Sequence, residues 1–553
     1  MVTVAGNRIT VSTRTLEAVL EAGVLISLRD AAGQEMLQPG TAPASAVQLV
    51  YGQAAVEVAG LASACTAHRL SDHSAQFRLS GWDADAVITI GEDPESGDLL
   101  VEPSAYSSRP GVLACRWLLP AVDDELELVA PFFQGVRLPL ADPLLQRRWT
   151  WPHFWEAGLA ILQGPRGGFW LHCQDDRYRY KALHIAEGRL GLETEAYGPV
   201  HDNLAAGGLT WRLNVHQGDW QVPAGRYRAW LWRAYGLEAA EARRKPWIHD
   251  IRFALSWYHG DLDLLDALAE KLDPRTVLLH FSDWRTDRYD ENYPDYCPSD
   301  KARAVFAKAR ALGMHVMPHG NSVDMDPSHP AYAYLRDFEY REVGSGRLQG
   351  WGYDPEAGGI LGVPNSNHQL ADNRRRKVMV KIHPGLSMWR SILCERLGEA
   401  VRDLETDTVF IDVTLCSWNI RQCLVENQTP TEGMNRLIHQ VADLEGGLAV
   451  GGEGLNEITM QGLSFAQAHL FNSWHASHEG LVRTGGCALN DFLFGRLCRT
   501  FGYSRLSGKD EAEELRMRIH EEHGAIPTVT VGTAAEIRQP NAAVARLLKQ
   551  AAS

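Results

Sequence analysis

The 553-residue chain carries 54 Lys and Arg against 69 Asp and Glu, a formal charge of −15, with 45% hydrophobic and 22% charged residues. An acidic surface repels phosphate backbones and anionic headgroups, so neither nucleic acid nor membrane is an expected partner, and the apolar content is that of a globular protein with a sizeable core. Seventeen tryptophans exceed the 16 tyrosines and 15 phenylalanines, a surplus that needs a physical reason.

The opening stretch, MVTVAGNRITVSTRTLEAVL, has no basic segment followed by an apolar run, and eighteen consecutive apolar residues occur nowhere. Nine scattered cysteines, never spaced as CxxC, fit reduced thiols, and a cytoplasmic location is the expectation.

Residues 1–240 read as an antiparallel β-sandwich. Short apolar or alternating runs at Val2–Val11, Val24–Leu28, Ala46–Tyr51, Ala54–Val58, Ala75–Leu79, Ala86–Ile90, Gly167–His172, Leu209–Val215 and Tyr227–Trp232 are parted by turn signals such as Asp93-Pro94-Glu95-Ser96-Gly97. Within this region Trp149–Trp155 packs three tryptophans into seven residues; core or interface packing accounts for it, with a loop over the mouth of a neighbouring domain as the alternative.

Beyond Pro246 strands alternate with helices, the pattern of a parallel sheet. Strands are expected at Ile251–Trp257, Thr276–Phe281, Met314–Pro318, Thr408–Val413, Gly447–Gly451, Ala466–Phe471 and Ile526–Val531, with one more between Leu481 and Leu497. Helices are expected at Leu262–Leu272, Asp300–Leu312, Leu386–Leu404 and Thr431–Leu444. The fold class is therefore multi-domain β + α/β: an N-terminal antiparallel β-sandwich, a (β/α)8 TIM-type barrel over residues 247–535, and a tail or helix over 536–553.

Catalytic groups of such barrels sit at the C-terminal strand ends. The fourth strand ends Phe410-Ile411-Asp412-Val413, and an aspartate in an apolar strand is costly to bury unless paired, hydrogen-bonded or catalytic. The fifth runs into Gly451-Gly452-Glu453-Gly454, where glycines allow a sharp turn and room for a ligand. Two carboxyls at one rim are what glycosidic hydrolysis requires. Glu457 is a rival acid, more naturally a supporting group.

Trp257, Asp283, Trp284, His319, Asn321, Trp418, Asn419, Trp474 and His475 follow other strand ends, and with His383 they make a carbohydrate-binding set: aromatic faces stack on sugar C–H faces, and His, Asn and Asp bond hydroxyls. Arg374–Lys377, followed by Lys381 and His383, is the main basic cluster, either a solvated loop or a site for an anionic sugar. No metal site or cofactor is implied: His315 and His319 lack a third ligand, and His520-Glu521-Glu522-His523 is not the HExxH spacing of a metalloprotease.

The β-sandwich followed by a barrel with FIDV on strand four and GGEG on strand five resembles the clan of glycoside hydrolases that contains the endo-α-N-acetylgalactosaminidase family, and related uncharacterised bacterial proteins. That resemblance implies a retaining hydrolase of α-linked sugars acting on an oligosaccharide or glycoside, with Asp412 as nucleophile and Glu453 as acid/base. The stretch Val413-Thr414-Leu415-Cys416 departs from the family's pattern. An inverting glycosidase using His319 or Asp283 with one of these carboxylates, on an anionic sugar, and a non-catalytic carbohydrate-binding protein are the alternatives. The oligomeric state has no readable signature.

Overall fold

The computed structural model describes residues 1–52, 64–352, 369–370, 378–468, 485–502 and 513–553. Up to Gln217 the chain is built from antiparallel strands in three sheets of four, five and ten strands. The larger two share one apolar core, to which Leu49, Trp117 and Leu192 contribute from the five-stranded sheet and Phe77, Ile88 and Val101 from the ten-stranded one. The run Val2–Val11 is a hairpin rather than one strand, because Gly6 (φ 60°) turns the chain between Val2–Ala5 and Arg8–Ser12. The expected strand Ala54–Val58 lies outside the described residues.

One expectation fails here. Tyr227–Trp232 belongs to an α-helix, Gln221–Tyr235, ended by Gly236 in the left-handed conformation. Its apolar groups recur at helical spacing, with Ala224, Tyr227 and Leu231 buried, and the crowd of aromatics masked that period.

From Phe253 onward eight parallel strands, numbered here β1–β8, form a nearly closed barrel: β1 Phe253–Tyr258, β2 Val277–Phe281, β3 His315–Asn321, β4 Thr408–Asp412, β5 Ala449–Glu453, β6 Phe465–Ala468, β7 Arg499–Gly502 and β8 Thr528–Val529. From β1 to β7 each neighbours the next, β8 pairs with β1, and the seam between β7 and β8 is bridged by Ile526 N–H donating to Thr500 O at 2.8 Å. The seventh strand is a correction. Within the expected window of 481–497, Leu489–Phe494 is a helix with Leu489, Leu493 and Phe494 buried, and the strand follows it at Arg499–Gly502.

The helical shell follows local chemistry. Asp300–Leu312 starts where Ser299 Oγ accepts the Ala302 N–H at 3.1 Å and stops at Gly313 (φ 87°). Pro430–Ala442 starts with a reciprocal capping box between Thr429 and Glu432. The final helix, Ala542–Ala552, buries Val544, Leu547, Leu548 and Ala551 in the core it shares with the barrel. Between β3 and the helix Ser387–Leu404 a small antiparallel sheet brings Asp324–Met325 beside Val378–Lys381. Among the described residues no helix is long and apolar enough to cross a membrane.

The β-rich region and the barrel are tied by buried polar bonds. Glu457, beyond β5, accepts Trp151 Nε1–H, the Tyr227 hydroxyl at 2.6 Å and Gly158 N–H at 3.4 Å, all from the N-terminal side. Glu156 accepts from Gln134 and, at 2.6 Å, from Asn490 of the barrel. His153 Nδ1 meets Leu415 O at 2.9 Å. The tryptophan-rich stretch is thus the interface: Trp155 stacks near Trp211, Trp149 on Phe132, and Trp151 reaches across.

Removing one donor from a buried carboxyl leaves it unsatisfied, which costs about 1–3 kcal/mol. Tyr227→Phe is therefore expected to lower unfolding free energy by about that amount, read from the urea midpoint, with an unchanged slope.

Candidate functional site

Side chains alternate along each strand, and the lumen of the barrel is filled from the bottom by Ala254, Leu278, Met317, Phe410, Ala449, Phe465 and Phe501. Two residues on from several of these, towards the C-terminal ends, the inward positions turn polar: Ser256, His280, His319, Asp412 and Gln467, all buried. Gln467 Nε2 on β6 donates to Ser256 Oγ on β1 at 2.6 Å, a bond that crosses the lumen. Asn321 pairs with Asp412 in register, and Glu453 pairs with Gln467. β4 and β5 run with Ile411 opposite Gly452, so Asp412 and Glu453 stand one step further at matching height.

The glycines around Glu453 serve packing. A Cβ on Gly451 would lie 2.7 Å from Met317 Sδ, and one on Gly452 would lie 2.7 Å from Thr414 Oγ1; Gly454 (φ 74°) makes the turn. The expected room for a ligand is therefore taken by neighbouring side chains at the first two.

Asp412 is 5% exposed. Tyr289 Oη donates to its Oδ2 at 3.3 Å, His319 Nε2 lies 3.7 Å from the same oxygen, and Oδ1 has no hydrogen-bond partner among the described residues. Burial, then the charges of Glu453, Asp290 and Asp324, push its carboxyl well above the ordinary range. The next residue, Val413, has φ 53°, a left-handed conformation that costs a β-branched side chain dearly and marks a strained strand end. Trp257 (φ 57°) is strained likewise at the end of β1.

Opposite, Lys381 and Asp324 form a fully buried ion pair at 2.7 Å. Burial opposes the ammonium, but Asp324, Cys416 and Glu453 outweigh it and hold Lys381 above its usual value. Cys416 is buried, which drives its thiol well up.

Of the sequence-derived residues, the structure gathers Asp412, Glu453, His319 and Asn321 at one rim. Asn321 shapes a turn there, its Oδ1 accepting from Val323 and Asp324 N–H and its Nδ2 reaching Asp324 at 3.3 Å. Trp257 is half-buried with its ring 5.1 Å from His280, 5.6 Å from Tyr289 and 5.8 Å from His319. Trp284 stands apart from an open face: it is fully buried, stacked near Tyr296, and its Nε1–H donates to His319 O at 2.8 Å. Trp418 is 4% exposed and donates to Gln349 Oε1 at 3.1 Å.

Asp283 is a half-exposed carboxylate 2.7 Å from His259, which holds it below its usual range. His383 is engaged with Cys423 O and Gly385 N–H, and Asn419 binds Glu195, Ala196 and Gly198 across the interface. Glu457 is taken up by the interface bonds already described. Trp474, His475 and Arg374–Lys377 lie outside the described residues, and Lys381, read with that cluster, is a buried ion-pair member instead.

Sequence reasoning missed Ser256, His280, Gln467, Tyr289, Asp290 and Asp324. The first three had a signal: a polar residue two places after a lumen residue in an apolar strand. Tyr289, Asp290 and Asp324 come from a loop and an insertion, where no periodicity marks them. Among the described residues no group of three or more His, Cys, Asp or Glu is arranged to hold a metal ion.

Residues 209–435 match the family described as Domain of unknown function (DUF6259). No curated protein matches the chain by sequence. Among solved structures, the α-N-acetylgalactosaminidase NagBb from Bifidobacterium bifidum, in complex with Gal-NHAc-DNJ, is similar over 100% of this chain and 92% of that one, with TM-score 0.67 and 13% identity. A GH31 family sulfoquinovosidase from E. rectale, in complex with the aza-sugar inhibitor IFGSQ, is similar over 99% and 82%, with TM-score 0.53 and 10% identity. At these identities the likeness is one of fold, and it spans both the β-rich region and the barrel.

A carboxyl whose folded pKa is raised contributes stability that is fully present below about pH 4 and is lost as pH rises through the raised value. Asp412→Asn removes that loss. Its melting midpoint is expected to equal that of the wild type at pH 4 and to exceed it by roughly 1–3 °C at pH 8, by scanning calorimetry.

Proposed function

We propose that the protein is a retaining α-glycoside hydrolase, with Asp412 as nucleophile and Glu453 as acid/base. The observation that carries this reading is the pair of buried carboxyls at matching height on adjacent barrel strands. Adjacent strands lie about 4.8 Å apart. Carboxyls on neighbouring strands can come within the roughly 5–5.5 Å that a retaining mechanism needs, against roughly 6.5–9.5 Å for an inverting one. The fold shared along the whole chain with an α-N-acetylgalactosaminidase supports the α-linkage and makes an α-N-acetylgalactosaminide the first substrate to try.

The reaction needs a proton on Glu453 and a carboxylate at Asp412. Tyr289 Oη and the facing edge of His319 work against the upward push on Asp412, and its carboxylate attacks the anomeric carbon while Glu453 protonates the departing oxygen. Glu453, now a carboxylate, takes a proton from water as that water opens the glycosyl–Asp412 ester. Trp257 offers the aromatic face at the rim on which the sugar stacks.

The test is a panel of aryl α- and β-glycosides including N-acetylgalactosaminide, galactoside and charged sugars, with product anomers followed by NMR in the first turnovers. The α-anomer is expected from an α-glycoside. Asp412→Asn is expected to lower kcat by at least about 10³-fold, and Glu453→Gln comparably on poor leaving groups but far less on activated aryl ones. Inverted product, or cleavage undiminished by either substitution, overturns the assignment.

A further inference from the structure

His280 was passed over in the sequence and is not one of the two reacting carboxyls, yet it lies fully buried at an inward position of β2. Its two ring nitrogens are both engaged. The register of β1 against β2 shifts between Leu255 and Tyr258, and the Trp257 N–H released from the ladder donates to His280 Nδ1 at 3.4 Å. His280 Nε2 faces His319 Nδ1 at 2.8 Å. His319 Nε2 in turn faces Asp412 Oδ2 at 3.7 Å and has no hydrogen-bond partner among the described residues.

These contacts fix the hydrogen positions on both rings. A backbone N–H can only donate, so His280 Nδ1 must be the acceptor and its proton sits on Nε2. That proton points at His319 Nδ1, which must accept, so His319 carries its proton on Nε2. A second proton on either ring would set two N–H groups face to face. Both histidines are accordingly neutral, and burial agrees, taking His280 down to about 3 and His319 well below its usual value, the latter with help from His280 and Arg285.

We propose that His280 is a positioning residue that locks His319 in the Nε2–H tautomer, so that a neutral, single-sense donor relay running from β1 through β2 and β3 presents one N–H to the Oδ2 oxygen of Asp412 on β4. The inference rests on the assignment of Asp412 as nucleophile. Contacts of this kind are often long in the resting enzyme and tighten in the Michaelis complex. The donor matters because the other side chains facing Asp412 are mostly acidic: Glu453 from β5, Asp290 from the loop after β2, Asp324 with its partner Lys381 from the inserted sheet, and the Cys416 thiol; the Tyr289 hydroxyl and the Val413 backbone N–H also donate. Arg285 and His259 act on the histidines rather than on Asp412. A neutral imidazole supplies a hydrogen bond there without a charge that would pair with Asp412 and quench it as a nucleophile.

The full-length protein labelled with ¹⁵N-histidine, with signals assigned through His280→Phe and His319→Phe, gives a direct reading. Nε2–H is expected at both rings in the wild type, and a mixture or Nδ1–H at His319 in His280→Phe. His280→Gln, whose amide N–H can replace the donor, is expected to restore Nε2–H at His319. In kinetics on the best aryl glycoside, His280→Phe is expected to lower kcat about 10–100-fold with KM within about twofold, and to move the acidic limb of kcat/KM to higher pH by about 0.5–1 pH unit. His280→Gln is expected to bring both most of the way back.

Nδ1–H at His319 in the wild type overturns the relay, as does a folded His280→Phe whose limb stays in place. A wild type with both Nε2–H tautomers that cleaves no glycoside overturns the hydrolase reading and leaves the relay standing. Should the Phe variant not fold, the wild-type tautomers and the Gln variant decide.

Discussion

The molecule is organised around one awkward requirement: keeping several carboxyls out of water at the mouth of an otherwise greasy barrel. Asp412, Glu453 and Asp324 are each no more than 5% exposed, and Asp290 is buried with them. Desolvating so much like charge is paid for by named neighbours. Lys381 neutralises Asp324, and the Tyr289 hydroxyl and the His319 edge attend Asp412. The small sheet inserted after β3 exists, in this light, to deliver Asp324 and Lys381 to each other.

The apolar floor beneath that ring makes the arrangement sharper. Phe410, Met317, Phe465 and Phe501 fill the lumen to the level of the carboxyls, so water does not reach them from below. The strained backbone at Val413 and Trp257 stands at the same level, on the strands that bear the nucleophile candidate and the tryptophan beside it. Strain of that sort persists only where surrounding packing over-determines it; Val413 is buried, and Trp257 is half-buried against His280 and His319.

Much of the barrel was legible because βα alternation leaves local marks. The helix Asp300–Leu312 stands at the bounds its helical apolar spacing gave, and the β4 aspartate and β5 glutamate stand out as carboxyls in apolar surroundings. What was hidden depended on three dimensions. The helix Gln221–Tyr235 looked like a strand because aromatics dominate it, and β7 was displaced because four residues carry too little period to resolve. Trp284, Trp418, His383 and Asn419 sat at the right places along the chain but are spent on packing or on the interface, a distinction that only burial makes. The tryptophan surplus thus divides unequally: Trp117, Trp149, Trp151, Trp155 and Trp211 fill cores and the interface, and Trp257 alone of the described candidates keeps a half-open face at the rim.

Glu457 carries a consequence for how such a protein could arise and be re-engineered. A carboxyl rooted in the barrel loop draws its donors from Trp151, Gly158 and Tyr227, so the barrel cannot be cut away as a free-standing cassette without stranding an ionisable group in apolar surroundings. The two halves are mutually templating, and recombination that swaps one must carry the matching partner surface with it.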